Sequence, residues 1–202
     1  SSLYRKEKEI VSPGYYNIFL ERYNINVELT ASKRVGLHRY IYPKSQTSRI
    51  IIDLGEGSAD RPTETYLRKI NDTLFEGYRF STGWAVDQRE FFSVVVSKPV
   101  ENFLLYDRGR KIKANEKKGK YVKGFLEFKT DEQEEVFFKM GVSNVSMENA
   151  LENLIAEIPG WNFEKVHNNA ISDWNRELSK IKIKTNDIKK KKIFYTAMYH
   201  TM

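Results

Sequence analysis

Few side chains in this sequence are of the types that bind metals or act as nucleophiles. The three histidines, His38, His167 and His200, lie far apart with no spacing typical of metal ligands, so no zinc site is predicted. Cysteine is absent, which excludes disulfides, thiol nucleophiles and cysteine-bound zinc. The sequence also contains no nucleophile elbow, Walker loop or glycine-rich dinucleotide motif. These residues alone therefore predict no catalytic centre.

Carboxylates remain, because two acids on either side of a glycosidic bond can hydrolyse it. Asp53, Asp87, Glu90 and Asp107 are the candidates for such a pair. The sequence does not show which two would face one another, and each by itself is more typical of a surface or turn acid. We therefore assign no catalytic residue.

Trp84 is the clearest candidate for a binding residue. It follows Gly83 in the polar segment 80–88, where a large ring is harder to bury than on a helix face. The flat face of an exposed indole suits the C–H bonds of a sugar ring. The competing interpretation, which we favour from the residues alone, is that Trp84 fills the edge of the folded domain.

The histidines differ in their predicted surroundings. We expect His38 to be a surface or hydrogen-bonded strand residue and His167 to lie at the edge of a buried helix face. His200 falls in an apolar helix, where a polar ring is costly without a partner. It is the most interesting of the three, although a structural hydrogen bond is the favoured interpretation.

The elements that position these residues follow a period of two from Tyr15 to about residue 143, as in Ile25–Ala31. About eight strands separated by turns, with no helices between them, predict an antiparallel β-sandwich. The predicted strands are 25–31, 35–42, 49–54, 74–80, 91–97, 102–106, 121–128 and 136–142. We therefore predict a mainly β fold, with a partial, supersandwich-like domain over 1–144 and a helical segment over 145–202.

Three helices are predicted after residue 143. Ser146 can cap the first, which Pro159 ends, and the second starts after Asn162. A third begins near 185–187 and becomes almost wholly apolar over 193–202, so another surface must bury it. We expect this surface to belong to a further domain of a longer protein, so that Met202 marks a truncation. The alternative is that the helix packs back on the sandwich.

Composition limits the other functions. The chain has 202 residues and a formal net charge of +7, but lysines and acids alternate, and Lys189–Lys192 is the one dense basic block. Basic charge alone gives only non-specific phosphate affinity, so nucleic-acid binding is not predicted. The apolar runs are only a few residues long, whereas a bilayer span needs roughly 20. No transmembrane helix is predicted.

Several stretches together resemble the N-terminal domain of glycoside hydrolase family 92 and the segment that follows it. They occur in the same order over nearly the whole chain: 12–16, 27–31, 34–40, 51–55, Gly83-Trp84, Phe91-Phe92, 157–161, 174–178 and 193–201. No one of these stretches is decisive, but their order and spacing are specific.

The resemblance implies a calcium-dependent, exo-acting α-mannosidase, of a mostly bacterial family that acts with inversion on N-glycans and mannans. It implies a β-sandwich, a helical linker and a C-terminal (α/α)6 catalytic barrel, with the catalytic groups and calcium ligands beyond Met202 and the first strands before Ser1. The expected partners are mannose-containing glycans and the catalytic domain of the same protein. The location implied is periplasmic, outer-surface or secreted. Trp84 and His200 are the residues expected to border the sugar pocket.

Two other functions stay open at this point. A non-catalytic carbohydrate-binding sandwich would also present an exposed Trp84. A basic protein that binds nucleic acid or an anionic surface would act through Lys189–Lys192.

Overall fold

The structure, a computed structural model, describes residues 2–202, in which thirteen strands and three α-helices follow a short 3-10 helix at Lys6–Lys8. The strands are β1 (Ile10–Ser12), β2 (Tyr15–Leu20), β3 (Ile25–Ala31), β4 (Val35–Tyr42), β5 (Ser45–Asp53), β6 (Arg61–Lys69), β7 (Leu74–Thr82), β8 (Gln88–Val96), β9 (Asn102–Asp107), β10 (Arg110–Ile112), β11 (Glu116–Gly119), β12 (Val122–Thr130) and β13 (Glu134–Ser143). The helices are α1 (Met147–Glu157), α2 (Phe163–Leu178) and α3 (Ile188–His200).

The strands form two antiparallel sheets, as predicted. Nine strands form the larger sheet in the order β1-β2-β3-β4-β13-β8-β7-β6-β11, and four form the smaller one in the order β10-β9-β12-β5. In the centre of the larger sheet Phe138 of β13 pairs with His38 of β4 and with Val96 of β8. This register places the alternating apolar residues of neighbouring strands on one face.

Burial of these apolar faces holds the layers together. The core between the sheets includes Leu67, Phe75 and Val94 of the larger sheet and Leu105 and Leu126 of the smaller one, all fully buried. Each such side chain contributes roughly 1.5–3 kcal/mol relative to exposure. The result is the predicted β-sandwich.

A second cluster forms where α1 and α2 cover part of the outer face of the larger sheet. Val35 and Leu37 of β4 pack there with Leu154, Ile158 and Phe163. The larger sheet is therefore covered on one face by the smaller sheet and on part of the other by helices.

The helix starts lie where local capping predicts them. The Ser146 side chain accepts a hydrogen bond from the Asn149 backbone N–H, and the Asn162 side chain accepts one from Lys165 N–H. The Asp187 side chain accepts a hydrogen bond from the Lys190 N–H and caps α3 in the same way, within the range 185–187 predicted for the start of this helix.

Some strands were not predicted, for identifiable reasons. β2 is half-buried along its whole length and so shows no alternation, and β6 begins at Arg61-Pro62 and carries several charges. β10 and β11 are short and basic, and exist through pairing with β9 and β6. Tertiary pairing overrides weak local preference in these segments.

The last helix does not bury its apolar side chains. α3 contains no buried residue, although Tyr199 packs on Trp174 of α2 with ring centroids 4.5 Å apart. Tyr195 Oη donates to the Ile181 carbonyl oxygen at 3.2 Å, and Ile193 is 59% exposed. α3 therefore rests on α2 and the preceding link rather than in the β layers. No helix among residues 2–202 is long and apolar enough to cross a membrane.

Candidate functional site

Among residues 2–202, Trp84 is the most exposed large hydrophobic residue, and it lies in the loop of residues 83–87 between β7 and β8. Its side chain is 99% exposed and that of Val86 is 90% exposed. The interpretation that Trp84 fills the edge of the sandwich is therefore wrong. Burying an indole is strongly favourable, so an exposed one is available for a ligand or partner.

The two ends of the 83–87 loop are fixed by the pairing of β7 with β8. Ser81 and Gln88 form the last pair of the β7–β8 ladder, and the Ser81 hydroxyl donates to Gln88 Oε1 at 3.2 Å. The Gly83 N–H donates to the Ala85 carbonyl oxygen at 3.0 Å, which closes a tight turn around the indole. The backbone, rather than side-chain packing, thus sets where Trp84 projects.

A second loop, residues 54–60 between β5 and β6, lies beside Trp84. Its Asp60 accepts two hydrogen bonds from the Arg79 guanidinium, from Nη1 at 2.5 Å and Nη2 at 2.9 Å. The bonds from Arg79 lower the pKa of Asp60 to about 2. Both members of the pair therefore carry charge throughout the range in which proteins are stable.

The two loops border an open groove of about 390 Å³. One side presents the Trp84 ring, and the others present polar side chains, including Glu56, Ser58, Gln88 and Glu90. An aromatic plane beside hydroxyl and carboxylate acceptors is the combination that binds sugars, since it matches both their C–H faces and their hydroxyl groups. We define the groove of loops 54–60 and 83–87 as the Trp84 groove.

The candidate carboxylates are mostly held by separate partners. Asp53 pairs with Lys123 at 2.7 Å, Asp87 with Arg89 at 3.1 Å, and Asp107 accepts from the Tyr121 N–H at 3.2 Å. Glu90 lines the Trp84 groove, and Glu90 and Asp53 also line a neighbouring, mostly apolar cavity of about 290 Å³ between the sheets. The cavity walls are otherwise dominated by aliphatic and aromatic side chains, which is typical of core packing.

His38 is a hydrogen-bonded strand residue, as expected. Its Nδ1 lies 2.8 Å from the Tyr40 hydroxyl, and burial lowers the pKa of the ring to about 4. His167 stacks on Tyr15 with ring centroids 4.3 Å apart, at the edge of the α2 contact. Both histidine side chains thus contact other side chains of the fold.

His200 lies at the end of α3 and is exposed, with its ring 5.5 Å from that of Tyr199. The predicted need for a hydrogen-bond partner does not arise, because the ring is not buried. His200 is not among the residues that line the Trp84 groove. The structure therefore does not bring the two predicted binding residues into one site within this chain.

A calcium site can be tested against the donors that this chain offers. Within residues 2–202, no group of three or more Asp, Glu or His side chains lies close enough to hold a metal ion. Calcium requires six to eight oxygen ligands. The described residues do not fit a complete calcium site by themselves.

The described residues thus form an antiparallel β-sandwich with an exposed tryptophan beside a polar groove, followed by helices. Comparison with family models gives the family. Residues 1–143 match the glycosyl hydrolase family 92 N-terminal domain, and residues 149–202 match the glycosyl hydrolase family 92 catalytic domain. The chain belongs to glycosyl hydrolase family 92, as the resemblance predicted.

Relatives agree with this assignment. An α-mannosidase of family 92 from Bacteroides thetaiotaomicron superposes with a TM-score of 0.91 at 30% identity, over 98% of this chain and 28% of that one. A further family 92 structure, an inverting mannosidase from the same organism, shares the fold with a TM-score of 0.86 at 16% identity. An uncharacterized secreted glycosidase of Arthroderma benhamiae is 26% identical over 94% of this chain. The chain spans only 28% of that protein's length.

Proposed function

We propose that this chain forms the N-terminal β-sandwich and the first part of the catalytic domain of an exo-acting, inverting α-mannosidase. The observation that carries the proposal is the collinear match to both family 92 domains, at 1–143 and 149–202. The substrates proposed are α-mannosides of N-glycans or mannans. We place the boundary between the sandwich and the helical segment after residue 144.

The chemistry proposed needs a pair of carboxyl groups, and we assign no such pair among residues 2–202. Inversion requires one carboxylic acid to protonate the leaving oxygen and one carboxylate to activate water, roughly 6.5–9.5 Å apart. We propose that these groups, and the calcium ligands, belong to the remainder of the catalytic domain. We propose a periplasmic, outer-surface or secreted location for the whole protein, and the relative described as secreted supports export from the cytoplasm.

Trp84 is proposed to form one wall of the sugar pocket. Its exposed ring can stack on a pyranose, while the polar side chains of the Trp84 groove accept hydrogen bonds from hydroxyl groups. A related family 92 mannosidase, 29% identical over this chain, has been solved with mannoimidazole. His200 is the second proposed binding residue, since it is exposed within the segment matched by the catalytic-domain model.

The test compares this chain with a longer polypeptide that carries it together with a complete family 92 catalytic domain. We expect the longer protein to hydrolyse an aryl α-mannoside and residues 1–202 alone to show no turnover, with or without calcium. In the longer protein, Trp84→Ala should raise KM about tenfold, because stacking contributes about 1.4 kcal/mol to ground and transition states alike.

Val86→Ala is the matched control, because Val86 is exposed in the same loop but has no aromatic face. It should leave KM within about twofold of the wild type. His200→Ala tests the second residue by the same KM measurement. Turnover by purified residues 1–202 would contradict the proposed location of the catalytic groups.

A non-catalytic carbohydrate-binding module is the second candidate function, favoured by the exposure of Trp84 on the sandwich itself. It predicts that residues 1–202 bind mannan in affinity electrophoresis and that Trp84→Ala abolishes the retardation. Retardation of the short chain, combined with no hydrolysis by the longer one, would favour this module over the enzyme.

A further inference from the structure

We infer that Arg79 and Asp60 are positioning residues for Trp84, because they hold the 54–60 loop against the base of the 83–87 loop. This inference rests on the proposed sugar-binding role of Trp84 and names the residues on which that role depends. Neither Arg79 nor Asp60 is assigned to catalysis.

Arg79 joins both ends of the 54–60 loop. Its Nε donates to the carbonyl oxygen of Leu54 at 3.1 Å, while Nη1 and Nη2 donate to the two carboxylate oxygens of Asp60. The planar guanidinium matches such a paired acceptor, which makes the geometry more specific than a single ion pair. The two side chains are only 15% and 18% exposed, so water competes weakly for these bonds.

Gly57 shows how closely the loop wraps around the pair. A Cβ added at Gly57 would lie 1.8 Å from Asp60 Oδ1 and 2.5 Å from Arg79 Nη2. A side chain at position 57 would therefore have to displace the Asp60 carboxylate or the Arg79 guanidinium. The 54–60 loop is folded directly over the Arg79–Asp60 pair.

The same loop supports Trp84 through its neighbour Gly83. A Cβ added at Gly83 would lie 2.9 Å from the Ala59 carbonyl oxygen and 3.0 Å from Asp60 Cβ. The backbone of the 83–87 loop thus rests on residues 59 and 60. Contacts run from Arg79 to Asp60, then to Gly83, then to Trp84.

This support matters because the indole has almost no packing of its own. With Trp84 99% exposed, its direction depends on the loop backbone. A loop held in place loses less conformational entropy when a sugar binds than a mobile loop does. Loss of the Arg79–Asp60 pair should therefore weaken sugar binding without touching the reacting atoms.

The test is a double-mutant cycle in the longer polypeptide with its complete catalytic domain, assayed with an aryl α-mannoside. Arg79→Met should raise KM about fivefold to tenfold and leave kcat within about twofold. In the Trp84→Ala background, Arg79→Met should have no further effect on KM, because it acts through the indole. Arg79→Lys, which keeps the charge but not the paired geometry, should restore only part of the wild-type KM.

A spectroscopic readout separates loop positioning from a general loss of structure. With 5-fluorotryptophan incorporated into the longer polypeptide, Trp84→Phe identifies the fluorine resonance of Trp84, and Trp161→Phe and Trp174→Phe identify those of the other two tryptophans of residues 1–202. In Arg79→Met and in Asp60→Asn, the Trp84 resonance should shift or broaden while those of Trp161 and Trp174 stay unchanged. Asp60→Asn keeps the inference testable if Arg79→Met does not fold.

The outcomes distinguish the two levels of the proposal. If Trp84→Ala leaves KM unchanged, the proposed sugar-binding role of Trp84 is wrong. If Trp84→Ala raises KM but neither pair variant does, Trp84 binds sugar and the positioning inference alone is wrong. A further rise in KM when Arg79→Met is added to Trp84→Ala would show that Arg79 contacts the substrate directly, which also overturns the inference.

Discussion

Lys139 offers a sharp test of how the helical segment is fixed to the sandwich. This lysine on β13 is only 4% exposed, and its ammonium donates to the Ile158 carbonyl oxygen at 2.9 Å and to that of Gly160 at 3.4 Å. Its Nζ also lies 4.1 Å from the centroid of the Trp161 ring. The buried charge thus satisfies carbonyl groups at the carboxyl end of α1, where a cation is favourable.

We predict that Lys139→Met lowers the free energy of unfolding by about 2 kcal/mol. An unsatisfied buried carbonyl costs ~1–3 kcal/mol, and a desolvated cation–π contact is worth up to about 2 kcal/mol. These losses are partly offset, because methionine keeps most of the side-chain packing and no ammonium has to be desolvated. For a domain of this size, the expected decrease in Tm is ~4–8 °C.

The pH dependence gives an independent check. Burial lowers the pKa of Lys139 from its usual 10.5. Between the two pKa values the unfolded chain binds a proton that the folded chain does not, so this group makes stability rise with pH. The stability difference between wild type and Lys139→Met should therefore increase as pH approaches 10.5.

Urea unfolding followed by circular dichroism, at neutral pH and near pH 10, measures both effects. Lys111→Met on β10 is the control, since Lys111 is exposed and should change stability by less than about 0.5 kcal/mol. Equal stability of Lys139→Met and wild type at both pH values would refute the reasoning.

Three further predictions concern the helices and the core. Gly141→Ala should destabilise the fold by ~1–3 kcal/mol in urea unfolding, because the added Cβ would lie 2.3 Å from the Ala150 carbonyl oxygen. Gly160→Ala is the control and should leave stability unchanged, because a Cβ added there has no atom within 4 Å. The free energy of unfolding of the wild type should fall as pH drops from 6.5 towards about 4, because burial keeps His38 neutral in the folded chain. This pH dependence should be missing in His38→Gln but kept in His200→Gln. The same pH dependence in all three proteins would contradict the burial argument. Residues 1–202 should self-associate in sedimentation velocity through the uncovered side chains of α3, and Ile193→Glu should reduce the association, whereas a monomer with α3 helical would count against it.

Much of the fold could be predicted from sequence patterns that span only a few residues. β3 and β4 alternate apolar and polar side chains, and both were predicted with their observed bounds, Ile25–Ala31 and Val35–Tyr42. The caps at Ser146 and Asn162 were equally predictable, because a cap depends on a few neighbouring backbone groups. The family resemblance was likewise carried by residue order and was confirmed by the family models.

The candidate site was harder to predict from the sequence. Trp84 was identified as a possible sugar-stacking residue, but its exposure was not, because residue type does not show what covers a loop. The Arg79–Asp60 pair was missed, since its members are 19 residues apart and neither belongs to a recognisable motif. Paired glycines at 55 and 57 were a signal that the backbone passes close to something, although not to what.

By itself, then, the amino-acid order determined the alternating strands such as β3 and β4, the presence of three helices, where those helices begin, and to which family the chain belongs. These properties depend on side-chain period and on groups within a few residues of one another. Only the tertiary structure decided that β10 and β11 become strands, that Lys139 is buried beneath Trp161, and that Trp84 projects into solvent above an arginine–aspartate pair. Such outcomes depend on which distant segments meet, and the free energy of those contacts is gained only when the sheets and helices pack together.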